Sequence, residues 1–358
     1  MNIRQLFLAA ALLSFVACAR GTSDPEPAEG SAGEAVAQPE AALLAAVAAE
    51  NTKSMVVLRG GETVFAYGLA DAAEPTYTAS VRKSILTMLM GEWVENGEIE
   101  LDATLADLGV DDVQGLTDDE KRATVRDLIS ARSGVYHPAS NFSGVTDAGP
   151  QRGDHAAGTY YWYNNWDFNA AGWIFEKLTG RSMYDEFERQ FVGPMGLQPF
   201  DVVKHKQAKA ERSRENSLYP PYHFLLSAND LAKLGQLMLQ KGVWNGERLM
   251  SEEWVEESVS LVTRSAEMNP ESNRNGELGY GYMWWVFDPA TAPEAFHGGY
   301  AARGHFGQYI LVLPKLDMVI AHKTAPQEYD GPEEYDAVNV NWEEFRALVD
   351  LAVAAFGR

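Results

Sequence analysis

The chain has almost no cysteine. Cys18 stands alone among 358 residues, which excludes an intrachain disulfide and any cysteine-built metal site. Basic residues are scarce as well: 29 Lys and Arg face 51 Asp and Glu, for a formal charge of −22. Neutralising a phosphate backbone needs clustered Lys and Arg, so this balance argues against nucleic acid as a partner, and such an acidic surface mostly serves solubility. Long apolar runs are missing too, since the stretch from Leu6 to Val16 falls well short of the roughly 20 residues that span a bilayer. The seven histidines form no H-E-x-x-H and no metal-ligand spacing, so neither a metal nor another cofactor is expected.

What is present begins with the setting of Cys18. Met1-Asn2-Ile3-Arg4, the short apolar stretch and a small residue before Cys18 read as a secretory signal peptide over residues 1–17. Phe15-Val16-Ala17-Cys18 resembles a bacterial lipobox, with Phe where Leu is usual. That reading makes Cys18 the lipidated N-terminus of an exported, periplasmic protein tethered to the outer membrane, and the anchor would be its only membrane contact. The alternative is an ordinary signal peptide with an incidental cysteine. Residues 18–39, rich in Gly, Ser, Pro, Ala and Glu, read as a flexible tether.

Beyond the tether, 46% hydrophobic content suffices for one large or two ordinary domains. Ala41 to Glu50 reads as a helix of small residues, and two β-rich runs around Gly60-Gly61 predict a hairpin. Helical patterns dominate to about Ser260, including Asp167 to Leu178 and a run from Ser227 to Leu239 with Ser227 and Asp230 in capping positions. β character returns at Gly279 to Phe287, Glu294 to His297, His305 to Leu313 and Met318 to His322. A last amphipathic helix spans Val340 to Phe356. The pattern predicts an α+β fold: an antiparallel sheet flanked by helices and built from both chain ends (residues 40–98 and 275–358), with a mostly helical domain inserted over residues 99–274.

Chemistry enters with Ser80-Val81-Arg82-Lys83, which opens an apolar helical run. Positions i and i+3 share a helix face, so the Ser80 hydroxyl and the Lys83 amine would meet one turn apart. Ser is also a favoured N-cap, which would put Ser80 among the free N–H groups and positive dipole end that suit an oxyanion. Arg82, one position before Lys83, is expected to point elsewhere. Taken alone, the tetrad equally fits an N-capping serine followed by an exposed lysine. Two further stretches stand out. The aromatics of Tyr160 to Asn169 suit either a core or a site, and the glycines between Phe296 and Tyr309 permit close backbone approach to a ligand or simply lead into a strand. His137, His155, His297 and His305 read mainly as structural. Trp162, Trp166, Trp284 and Trp285 read mainly as core, with one or two available as an apolar wall.

In this order, S-x-x-K, then Tyr163-Asn164-Asn165, then a Gly-rich approach to a strand, the chain resembles the serine β-lactamase and penicillin-binding superfamily. More closely it resembles its class C-like serine hydrolases, which include esterases and 6-aminohexanoate-dimer hydrolases. Thr124 to Gly134, Tyr163 to Gly172, Asp230 to Leu239, Gly281 to Trp285 and Gly304 to Gln308 carry the same likeness. The resemblance implies an α/β sandwich, Ser80 as acyl-forming nucleophile, Lys83 as its base, Tyr163 as proton relay and Asn165 as orienter of substrate or Lys83. It also implies an oxyanion hole from the backbone of Ser80 and of His305, after Gly304. The family's Lys-Thr-Gly is absent. Ala302-Arg303-Gly304 fits its place better than His297-Gly298-Gly299, and without that lysine a β-lactamase or D,D-peptidase becomes the second choice behind an ester or amide hydrolase. Arg303 could partly replace the missing lysine. A non-catalytic lipoprotein that binds cell-wall material is a further alternative. For Lys83 to act as base, its ordinary pKa of roughly 10.4 must fall through burial and neighbouring charge.

Overall fold

The computed structural model describes residues 32–69, 71–141, 149–210, 215–324 and 339–357. The signal peptide and Cys18 lie outside the described residues. So does the tether as far as residue 31, but the tether reading needs correction at its end, because Ala32–Ala49 forms one helix, α1. Low hydrophobicity suggested an unstructured segment, whereas Ala and Glu are among the strongest helix formers and carry the helix through Pro39.

Seven strands form one antiparallel sheet: β1 (Thr52–Arg59), β2 (Glu62–Tyr67), β3 (Leu278–Tyr280), β4 (Trp285–Phe287), β5 (Tyr300–Gly304), β6 (Gln308–Leu313) and β7 (Met318–Thr324). Their order is β2-β1-β7-β6-β5-β4-β3, so the N-terminal hairpin is zipped onto strands from the other end of the chain. The expected α+β architecture, with a sheet from both chain ends, is what the chain adopts. Gly60 and Gly61 make the first hairpin because both take positive φ (58° and 80°), the requirement of its tightest turn. One expected strand is absent: Glu294–Phe296 follows Pro293 as a turn of 3₁₀ helix. Tyr300–Gly304, within the Gly-rich stretch read as leading into a strand, is itself strand β5, closed onto β6 by Phe306 and Gly307 with positive φ.

Period-two alternation along these strands feeds two cores. Val57, Leu311 and Ile320 face one side with Leu43 and Val47 of α1 and with Phe345 and Leu348 of the last helix. Val56, Ile310, Val312 and Val319 face the other side, against the remaining helices. Of these, α2 (Val81–Glu95) is buried nearly all round, unlike a surface helix. Gly91 lets Trp254 pack directly on it, since a Cβ there would lie 2.5 Å from the indole Cδ1. Further helices are α3 (Asn165–Thr179), ended by Gly180 in the left-handed region, α4 (Ala228–Leu239), with the Ser227–Asp230 capping box, and α5 (Trp342–Phe356). The start of α2 abuts the end of β5, and this junction holds the site.

Candidate active site

Ser80 occupies the N-cap of α2 with helical angles (φ −75°, ψ −5°), after Ala79 in the left-handed region (φ 48°). Its hydroxyl caps nothing. It lies 2.9 Å from Lys83 Nζ, the partner that i, i+3 spacing predicts. Lys83 is 1% exposed, yet no carboxylate among the described residues pairs with it. The amine donates to Asn165 Oδ1 (2.7 Å), hydrogen-bonds the Tyr163 hydroxyl, and lies over the rings of Tyr163 and Phe168. Burial first, and the charge of Arg82 second, hold its pKa well below the ordinary lysine value.

Arg82 is therefore a correction. Adjacent helix positions do diverge, but this side chain is long and the helix is buried on every side. Its Nη2 donates to Asn169 Oδ1 (3.0 Å), and its guanidinium lies 4.3 Å from the centroid of the Tyr222 ring. No bulk water intervenes to screen its charge, because the residue is 2% exposed.

Tyr163 and Asn165 reach Lys83 because Asn164 between them caps α3. The Asn164 side chain accepts from Trp166 N (2.7 Å) and donates to Val135 O (2.9 Å) and Asp167 Oδ1 (3.1 Å). That anchor leaves the flanking residues to face the site. Asp167 also accepts from Ser133 Oγ (2.6 Å), and its burial pushes its carboxyl well above the usual range. Burial likewise raises the Tyr163 hydroxyl, opposed by its hydrogen bond with Ser80 and by the charges of Arg82 and Arg303. The two shifts run in opposite senses: burial favours the protonated phenol at Tyr163 and the neutral amine at Lys83.

The third segment arrives at the end of β5. A Cβ on Gly304 would stand 2.6 Å from Thr78 O and 3.2 Å from Ser80 N, so only glycine lets this strand reach the backbone of Ser80. His305 follows, with its ring exposed at the rim. Ser80, Tyr163, Asn165, Gly304 and His305 all line one cavity of about 450 Å³, with Trp285 and Arg303 on its wall. The guanidinium of Arg303 lies between Trp285 and Trp342, 4.5 and 4.4 Å from their ring centroids.

Other candidates lie elsewhere. The His297 ring contacts Ala292 O (3.1 Å), His137 contacts Val113 O (2.6 Å) and His155 stacks on Tyr160. Trp166 and Trp284 are fully buried in the core. Sequence reasoning missed Asn169, Asn141 and Trp342. Asn169 donates to Asn141 Oδ1 (2.9 Å), and Asn141 lines the cavity. Asn169 could have been found, since it stands four residues after Asn165 on the same helix face.

A model of the family described as Beta-lactamase matches residues 41–340. The chain belongs to the beta-lactamase family. A 6-aminohexanoate-dimer hydrolase from Paenarthrobacter ureafaciens is 24% identical over 299 residues, 75% of this chain and 71% of that protein. A penicillin-binding protein homologue from Caulobacter crescentus superposes with a TM-score of 0.61 at 16% identity, covering 89% of this chain and 98% of its own. EstCE1, a hydrolase with promiscuous acyltransferase activity, gives a TM-score of 0.61 at 15% identity, covering 89% and 99%. At these identities the superpositions establish the fold, which is that of the beta-lactamase family, a family of hydrolases acting on small amides and esters.

Proposed function

We propose that this member of the family is a serine hydrolase that cleaves an ester or amide through a covalent acyl-enzyme on Ser80. The observation that carries the reading is the buried Lys83 amine, 2.9 Å from Ser80 Oγ and depressed in pKa, with no carboxylate among the described residues to hold its proton. In the first half-reaction Ser80 Oγ bonds to the carbonyl carbon while its proton passes to Lys83 Nζ. The tetrahedral oxyanion faces the backbone N–H groups of Ser80 and His305. Collapse breaks the bond to the leaving alcohol or amine, which takes the proton back by way of Tyr163. Water then repeats the sequence on the acyl-enzyme and frees Ser80.

The position that corresponds to the lysine of Lys-Thr-Gly holds Ala302, wholly buried on the core side of β5, which favours an ester or amide over a β-lactam. Ser80→Ala is expected to abolish both labelling by a fluorophosphonate and turnover of a 4-nitrophenyl ester. Retention of either refutes the assignment. Rapid hydrolysis of penicillin by the unaltered protein would favour the β-lactamase alternative.

A further inference from the structure

One buried cation takes no part in the steps assigned to Ser80, Lys83 and Tyr163. Lys323, next to the end of β7, is 1% exposed. Its Nζ donates to three backbone carbonyls: Leu226 O (2.6 Å), Thr76 O (2.9 Å) and, at longer range, Tyr77 O (3.4 Å). Among the described residues no carboxylate hydrogen-bonds it. Asp230 of α4 and Glu74 favour its charge from a distance and Lys53 of β1 opposes it, while its cross-strand neighbour Ser54 is uncharged. Taking such a charge out of water is unfavourable, and a methionine of similar length would fill the space without it.

The carbonyls belong to two short strands, Thr76–Tyr77 and Leu225–Leu226, paired antiparallel apart from the main sheet. Tyr77 leads to Ser80 through Thr78 and the left-handed Ala79, and Thr78 is tied to Phe224 O by its N–H (3.1 Å) and its Oγ1 (2.9 Å). Leu226 leads into Ser227, the cap of α4, a helix packed on β6 and β7. Lys323 thus fixes the approach to Ser80 from the middle of the sheet. An ammonium offers three N–H donors to the three acceptors, whereas the neutral amine offers two and turns its lone pair toward the remaining oxygen. The grip therefore depends on the charge.

We propose that Lys323 is a positioning residue for the reaction at Ser80: its charged form holds residues 76–79 where Ser80 Oγ meets Lys83 and the Ser80 N–H meets the oxyanion, and the grip loosens when the charge is lost. This rests on the acyl-transfer reading of Ser80. Burial draws the amine down to about 7, and the carbonyls, which favour the ammonium, act the other way. The charge is thus lost between about 7 and the ordinary lysine value of roughly 10.4. Two lysines then act on kcat in opposite senses, since Lys83 must be neutral and Lys323 charged.

The test follows kcat and KM for 4-nitrophenyl butyrate against pH, per site titrated with fluorophosphonate, in the unaltered protein, Lys323→Met and Lys323→Arg. In the unaltered protein kcat should fall on the alkaline side within that range. Lys323→Met fills the space with neither donor nor charge. It should lose kcat about 10- to 100-fold at the optimum, the cost of a displacement approaching 1 Å, with KM changed less than about threefold and no alkaline fall in that range. Lys323→Arg, charged throughout, should recover part of kcat and likewise show no alkaline fall. A merely structural role would lower the titrated fraction and leave kcat per site and its pH profile in place, and that result overturns the inference. So does an alkaline fall that survives in either variant. If Lys323→Met does not fold, the profile of Lys323→Arg decides; if neither folds, a kcat of the unaltered protein that stays level to about pH 10 overturns the inference and a fall upholds it. Absence of both labelling and ester turnover in the unaltered protein overturns the acyl-transfer reading, and this inference with it.

Discussion

Gly304→Ala isolates the closest backbone approach in the site. The added Cβ would stand 2.6 Å from Thr78 O, 3.0 Å from Gln308 Cβ and 3.2 Å from Ser80 N. Ordinary contact begins near 3.4 Å, so β5 and the segment bearing Ser80 must separate by roughly 0.8 Å. Gly304 lies outside the left-handed region, so the backbone itself accepts alanine and the effect is purely one of space. Overpacking of this kind costs about 1–3 kcal/mol of stability. The displacement also parts the two backbone N–H groups assigned to the oxyanion, and a misplacement near 1 Å costs about 10²-fold in rate. Gly299→Ala, at the other end of the same strand, serves as the control. Its Cβ meets Phe296 O at 2.9 Å, Leu313 Cδ2 at 3.0 Å and Val312 O at 3.1 Å, all away from Ser80. Turnover of a 4-nitrophenyl ester per active site titrated with fluorophosphonate, alongside denaturant unfolding, separates the two effects. Both variants should lose stability, but only Gly304→Ala should lose kcat. Gly304→Ala retaining kcat within about threefold, or Gly299→Ala losing as much, would refute the placement of β5 against Ser80.

Two pH-dependent predictions follow from buried ionisable groups. Arg82→Met removes the charge that, after burial, most depresses Lys83; the amine then holds its proton to higher pH, so the acid limb of kcat/KM should move to the alkaline side. A profile that stays in place removes Arg82 from the electrostatics of the base. Asp167 has its folded pKa raised above the unfolded value, so the stability it supports is present at low pH and is lost as pH rises through the folded pKa. Asn at this position still accepts from Ser133 Oγ and Asn164 Nδ2 without a charge to bury. Asp167→Asn should therefore raise Tm at pH 7 to 8 with little change near pH 3. Equal destabilisation at both ends of that range would contradict a penalised carboxylate.

The parts of the site that could be read from the residues are those set by short-range geometry. Ser80 and Lys83 meet because i and i+3 share a face, and Tyr163 and Asn165 flank a capping asparagine. The sheet was legible where β-rich apolar runs met turn residues, as around Gly60-Gly61 and in His305 to Leu313. Arg82 was misjudged because adjacency on a helix describes Cα–Cβ directions and not where a long side chain ends when the helix is buried all round. The clamp on Arg303 was invisible because Trp285 and Trp342 come from separate elements that only the closed sheet brings together. Glu294 to His297 looked like a strand by composition, and Pro293 turned it into a helical turn. The segment from Ala32 was read by its low hydrophobicity, where its helix propensity was the stronger term.

The burial of α2 divides the protein into parts that can change and parts that cannot. The helix that opens on Ser80 and carries Lys83 is also the centre of the larger core, so most substitutions along it would compromise folding. The walls of the cavity are otherwise: Trp285, Arg303 and Trp342 sit at the ends of strands and at the first turn of the last helix, where they are only partly buried and the two indoles pack on the margin of the core. An evolving lineage of such proteins could therefore explore new substrates through these few terminal positions while its reaction stayed the same. Laboratory libraries aimed at substrate range would do best confined to them.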